Sequence, residues 1–149
     1  MSLLNSSNAI STGGGYNLEN SLRFRSSASA YLSRTFPTAG NRQTWTWSGW
    51  VKLGTLGTDQ CLFGTGTGAA YFDQITFNSS GALGFITYNA GVTSRKETTQ
   101  AFRDPSAWYH IVCVYDTTNV IADDRMRIYV NGIEVTNFEA TVNPTLNLA

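Results

Sequence analysis

Ten carboxylates, one histidine and two cysteines are the groups in this 149-residue chain with the chemistry for catalysis or metal binding. Cleaving a glycosidic bond takes two carboxyl groups projected from one face toward the same bond. None of the ten acidic residues stands two positions from another, so no strand offers that pair. His110, the only histidine, is the one base available to a hydrolase triad. It lies within the apolar run Tyr109-His110-Ile111-Val112, and no Gly-x-Ser-x-Gly elbow accompanies it, which marks a structural histidine held by a neighbouring hydroxyl or carbonyl. The run Gly64-Thr65-Gly66-Thr67-Gly68 lacks the Gly-Lys-Ser/Thr ending of a phosphate loop and reads as a turn. Two distant cysteines and one histidine give zinc no ligand set. The expectation is a chain without catalysis.

Cys61 and Cys113 each stand inside an apolar run, as buried thiols packed as small hydrophobes do. A disulfide pinning two strands is the other reading, since sequence does not place the two Cα atoms.

Binding is the sharper prospect. Between Gln43 and Leu53, residues Trp45, Trp47, Gly49, Val51 and Leu53 share one parity, while Thr44, Thr46, Ser48, Trp50 and Lys52 share the other. Side chains alternate along a strand, so Trp50 faces away from the core that Trp45 and Trp47 enter. Tyr129 and Arg127 likewise oppose Met126, Ile128 and Val130. If both strands belong to one sheet, Trp50, Tyr129 and Arg127 form an aromatic platform for a sugar. In the alternative, loops or another chain cover that sheet and the two aromatic residues are core or interface.

These residues need strands to place them. Hydrophobic residues make up 42% of the chain, aromatic ones 13% and charged ones 13%, about half the usual charged share. Such a balance suits pleated strands rather than surface helices. Period-two segments recur at Leu22–Arg25, Ala30–Arg34 and Gln43–Leu53, then near 60–64, 70–77, 83–88 and 93–98. Asn78-Ser79-Ser80-Gly81 and Asn89-Ala90-Gly91 are turns, and Pro105 marks a loop. Trp108 to Tyr115 is apolar on both parities and is expected to be buried on both faces. Asp116 to Asp124 is a polar connection. Arg125–Val130 and Ile133–Thr136 flank Asn131-Gly132, the signature of a hairpin with a type I′ turn. No window has helical amphipathicity. Many short strands at this spacing predict an all-β sandwich.

Formal net charge is zero and no basic stripe is present, which excludes a nucleic-acid backbone or an anionic membrane as main partner. Residues 1–20, rich in Ser, Asn and Gly, read as a flexible arm ahead of a domain over 21–149, either anchoring the chain to a partner or without a role. The start has no basic, then apolar, leader, so no secretory signal is expected, and no run approaches a membrane span.

Four blocks in order carry a family resemblance. They are Ser21-Leu22-Arg23-Phe24 with Ala30-Tyr31-Leu32, then Trp47-Ser48-Gly49-Trp50-Val51-Lys52, then Phe102-Arg103-Asp104 with Trp108-Tyr109-His110-Ile111-Val112, and last Ile128-Tyr129-Val130-Asn131-Gly132. Together they resemble the laminin G-like branch of the concanavalin A-like superfamily. That implies an antiparallel two-sheet jelly-roll sandwich. Phe102-Arg103-Asp104-Pro105-Ser106-Ala107-Trp108-Tyr109-His110 further resembles domains of tail, fibre and decoration proteins of tailed phages. The resemblance implies a non-catalytic structural or adhesive virion component, made in the host cytoplasm. Its implied partners are other virion proteins, further copies of itself and a host-surface glycan. A soluble glycan-binding lectin is the alternative. It also implies calcium at a loop rim, where Asp116, Asp123 and Asp124 supply hard oxygen ligands, against a solvated loop whose aspartates cap turns. Domains of this kind continue past the Asn-Gly hairpin to a closing strand, whereas here Asn143 to Ala149 follows. The sandwich is therefore expected to be incomplete at that end, either as part of a longer protein or completed by another chain.

Overall fold

A computed structural model describes residues 26–28, 35, 37–38, 40–68, 71–89 and 92–148. The chain divides into two units, Met1–Ala39 and Gly40–Ala149. In the first, the described residues include one 3-10 turn, Ser26–Ala28. The arm over 1–20 and the strands expected at Leu22–Arg25 and Ala30–Arg34 lie outside the described residues.

Among its described residues the second unit has nine strands: β1 Thr44–Val51, β2 Gln60–Gly68, β3 Tyr71–Phe77, β4 Ala82–Asn89, β5 Val92–Ala101, β6 Tyr109–Asp116, β7 Met126–Val130, β8 Ile133–Glu134 and β9 Phe138–Val142. They pair antiparallel into a four-stranded sheet, β1-β6-β7-β8, and a five-stranded sheet, β2-β3-β4-β5-β9. Alternation explains the layering. β1 is half-buried and exposed by turns along its whole length, with Trp45, Trp47 and Val51 against the core. Ile75, Phe77, Leu83 and Phe85 face them from the other sheet, each at most 1% exposed.

Trp45 joins the two layers. Its ring stacks on Tyr115 at 5.4 Å within its own sheet, meets Phe85 edge-on at 5.4 Å and tilts against Phe63 at 5.8 Å in the other. Burying aromatic side chains of this size stabilises by about 2–3 kcal/mol each, with a further contribution from edge-to-face geometry. The all-β sandwich is therefore as the sequence predicts.

The turn at Asn78–Gly81 is also as predicted. The Asn78 side-chain oxygen accepts from the Ser80 N–H and hydroxyl and from the Ala82 N–H. Asn131 and Gly132 both have positive φ, 52° and 81°, as a type I′ turn demands.

Several expectations need correction. Gly64-Thr65-Gly66-Thr67-Gly68 is not a turn: it is the second half of β2, paired with β3 from Gly64↔Gln74 to Gly68↔Tyr71. β6 is fully buried on one face only. Ile111, Cys113 and Tyr115 are buried, the opposite parity is half-buried, and Trp108 is 60% exposed. β7 begins at Met126, because Arg125 closes a 3-10 turn, Ala122–Arg125, within the polar connection. The return strand is only two residues long. The chain then crosses to the other sheet as β9, for which the sequence offered no signal; it pairs with β5 from Arg95↔Val142 to Thr98↔Phe138.

β5 carries the least expected burial. Ser94, Lys96 and Thr98 are at most 5% exposed. Lys96 stands opposite Phe85, lies over the Phe138 ring at 4.8 Å, and donates to the Asp123 carbonyl at 2.7 Å. Burial pushes its ammonium pKa down, while Asp123, Glu134 and Asp124 act against that shift. At the β4–β5 register shift, the Thr98 hydroxyl accepts from Leu83 N–H and donates to the Gln100 carbonyl, satisfying groups a bulge would strand.

Candidate functional site

The four-stranded sheet turns one face outward, and the pairing register lays out its side chains row by row. Trp50 stands opposite His110. Ser48, Val112, Tyr129 and Glu134 form the next row, and Thr46, Val114 and Arg127 the one after. Trp50, Tyr129 and Arg127 therefore do share one face of one sheet, with β6 between them. Trp50 is 66% exposed, whereas Tyr129 and Arg127 are half-buried.

Around Trp50 the structure adds groups the sequence reading left out. The His110 ring lies 5.0 Å from the Trp50 ring at an interplanar angle of 31°. His110 Nε2 is 3.0 Å from the Ser48 hydroxyl, so the histidine is held by a neighbouring hydroxyl. Its backbone N–H donates to the Asn131 side-chain oxygen at 2.8 Å, and its carbonyl accepts from the Asn131 N–H at 2.8 Å. The hairpin turn thus clamps the strand that carries His110. Chemically, the arrangement offers an exposed indole plane bordered by a hydroxyl and an imidazole.

The three aspartates are not gathered into one place. Asp116 ends β6 and accepts from the Thr118 N–H and hydroxyl at 3.0 and 2.6 Å. Asp123 accepts from the Asn143 amide at 2.6 Å, and Asp124 sits beside it in the 3-10 turn. Among the described residues no group of three His, Cys, Asp or Glu side chains is placed to hold a metal ion.

Both cysteines are free thiols, but only Cys113 is buried; Cys61 is exposed. The cause is a register shift in the edge strand β2: Cys61 stands opposite Thr76 and Phe63 opposite Ile75, so one extra residue turns the Cys61 thiol outward. A groove of about 600 Å³, lined by Cys61, Gly64, Thr65, Gly66, Phe72, Asp73 and Gln74, runs along this edge.

Comparison with known families agrees with the geometry. A family model for the concanavalin A-like lectin/glucanases superfamily matches residues 10–148. The chain belongs to that superfamily. No curated protein and no solved structure matches it. Among the described residues, no helix of this superfamily member is long and apolar enough to cross a membrane.

Ser48 and His110 are residues of this face that sequence reasoning missed: the parity of β1 could have found Ser48, whereas His110 needed the β1–β6 register. Trp108, which the sequence places in a buried strand, is exposed two positions ahead of His110. The apolar run around His110 marks it as structural, and only the β1–β6 register puts it beside Trp50.

Proposed function

We propose that the chain is a non-catalytic structural and adhesive component of a bacteriophage particle, in a tail, a fibre or a capsid decoration. Its partners in this reading are other virion proteins, further copies of itself and a glycan on the host surface, and it reaches the virion from the host cytoplasm. The virion placement rests on the likeness of residues 102–110 to phage structural domains. The adhesive part rests on one observation above all, that Trp50 is two-thirds exposed on an open sheet face with hydrogen-bonding groups beside it. A single exposed indole is ordinary on a protein surface; what supports the reading is that this one shares its sheet face with Tyr129 and with hydrogen-bonding groups. The absence of alternating carboxylates in the sequence supports a role without glycoside cleavage.

Co-sedimentation of the tagged chain with purified virions tests the assembly role. Saturable association is the expected result, and a chain that stays in the supernatant overturns it. A soluble glycan-binding lectin is the second reading, favoured by the shared face of Trp50, Tyr129 and Arg127. That reading requires glycan binding without virion association, and loss of that binding in Trp50→Ala.

A further inference from the structure

The rows of the four-stranded sheet constrain what could lie on its outer face. Trp50 is on β1 and Tyr129 on β7, two strands away and two residues along, with Val112 between them. Strand spacing and rise put their Cα atoms about 12 Å apart, farther than one pyranose ring spans. The floor between them is the half-buried Val112, with Val114 next along β6. Polar groups border it on both sides: Ser48 and His110 near Trp50, Arg127 and Glu134 near Tyr129.

Each feature points to the same ligand chemistry. Two aromatic side chains separated by an aliphatic floor match a chain of rings lying flat, each presenting C–H groups downward and hydroxyls sideways. Ser48 and His110 offer donors and acceptors to such hydroxyls, and Tyr129 acts through its ring. Arg127 and Glu134 carry opposite charges at one end, and Lys52, two residues beyond Trp50, has the charge of Asp104 near it at the other, so no excess of either sign attracts a polyanion.

Resting on the adhesive reading above, we infer that this face is an extended site for a linear, uncharged oligosaccharide of at least three units. The chain of sugars runs diagonally from Trp50 across Val112 to Tyr129. Trp50 supplies the main stacking surface, and Tyr129 makes the site selective for length.

An array of neutral and uronic acid-containing glycans from one to six units, probed with the full chain, tests this. The expected result is binding of neutral glycans that starts at three units. Titration of the best neutral hexasaccharide and its shorter homologues should show at least a tenfold loss of affinity in Trp50→Ala and in Tyr129→Ala, and near-normal binding in Tyr129→Phe. Thermal midpoints of the variants exclude misfolding as the cause. Equal affinity for one unit and six, preference for acidic glycans, or unchanged binding in Tyr129→Ala overturns the extended site while leaving an adhesive role in place. No binding to any arrayed glycan overturns the carbohydrate reading as a whole, and virion co-sedimentation then decides the assembly role separately.

Discussion

Trp50 and His110 stand opposite each other in the β1–β6 ladder with ring centroids 5.0 Å apart, on the side of the sheet away from the core. One strand position decides how differently two tryptophans of β1 behave. Trp45 is packed among Phe63, Phe85 and Tyr115, while Trp50 has one ring neighbour and open solvent. Trp45→Ala should cost about 3–5 kcal/mol, because it leaves a cavity between the layers. Trp50→Ala should cost about 1 kcal/mol or less. Urea denaturation of both variants checks the pair, and a large loss for Trp50→Ala would mean that its face is covered.

Two glycines with similar φ should differ in the same way. Gly81 has φ 87°, and a Cβ there would come within 2.7 Å of the Phe102 carbonyl oxygen, the backbone that docks on this turn. Gly132 has φ 81° and open space around it. Gly132→Ala should therefore cost about 1–2 kcal/mol, the strain of the left-handed conformation alone. Gly81→Ala adds a backbone clash and should cost about 3 kcal/mol or more. Denaturation midpoints in the order wild type, Gly132→Ala, Gly81→Ala are expected.

The two thiols should separate cleanly in a labelling experiment. Burial pushes the Cys113 thiol up to about 12, so it holds almost no thiolate at neutral pH. Cys61 is exposed at the sheet edge. Alkylation of the native chain near pH 8 should modify one cysteine, identified as Cys61 by peptide mapping, and the second only after denaturation. Fast labelling of Cys113 would show that the four-stranded sheet opens readily.

What could be read from the sequence follows from how local each signal is. The two faces of β1 and the Asn131-Gly132 turn were legible because alternation and positive φ are properties of consecutive residues. Gly64–Gly68 was misread because glycine carries no in-out pattern; it is strand only because β3 supplies the ladder. β9 was missed for a related reason, as Phe138–Val142 is fixed by pairing with β5, some forty residues earlier. The inward ammonium of Lys96 and the outward thiol of Cys61 each contradict their residue type. One depends on the distant Asp123 carbonyl, the other on a one-residue bulge. The candidate face was half legible. Parity put Ser48, Trp50, Arg127 and Tyr129 outside, but only the β1-β6-β7 order makes them one surface and brings His110 beside Trp50.

Asp73 provides a test of the interior through pH. It sits on β3 opposite Thr65 and Thr87, on the same side of the strand as the buried Ile75 and Phe77. Burial raises its carboxyl pKa above the ordinary 3.8. The sign of the linkage follows directly. A raised folded pKa means the native state holds this proton more tightly than the unfolded chain does. The resulting stabilisation is complete below 3.8 and is lost as pH rises through the folded value. At pH 7 the ionised, partly desolvated carboxylate is therefore a liability that Asp73→Asn removes. The variant should melt at a higher temperature than wild type at pH 7, and the gap should narrow as pH falls toward 3.8. A second readout comes from Tyr115, whose phenol is held above its ordinary value first by burial and then by the charge on Asp73. In Asp73→Asn the ultraviolet titration of Tyr115 should shift to lower pH. A variant with an unchanged melting temperature at pH 7 and the Tyr115 titration unmoved would place the Asp73 carboxylate in water rather than against the inter-sheet core.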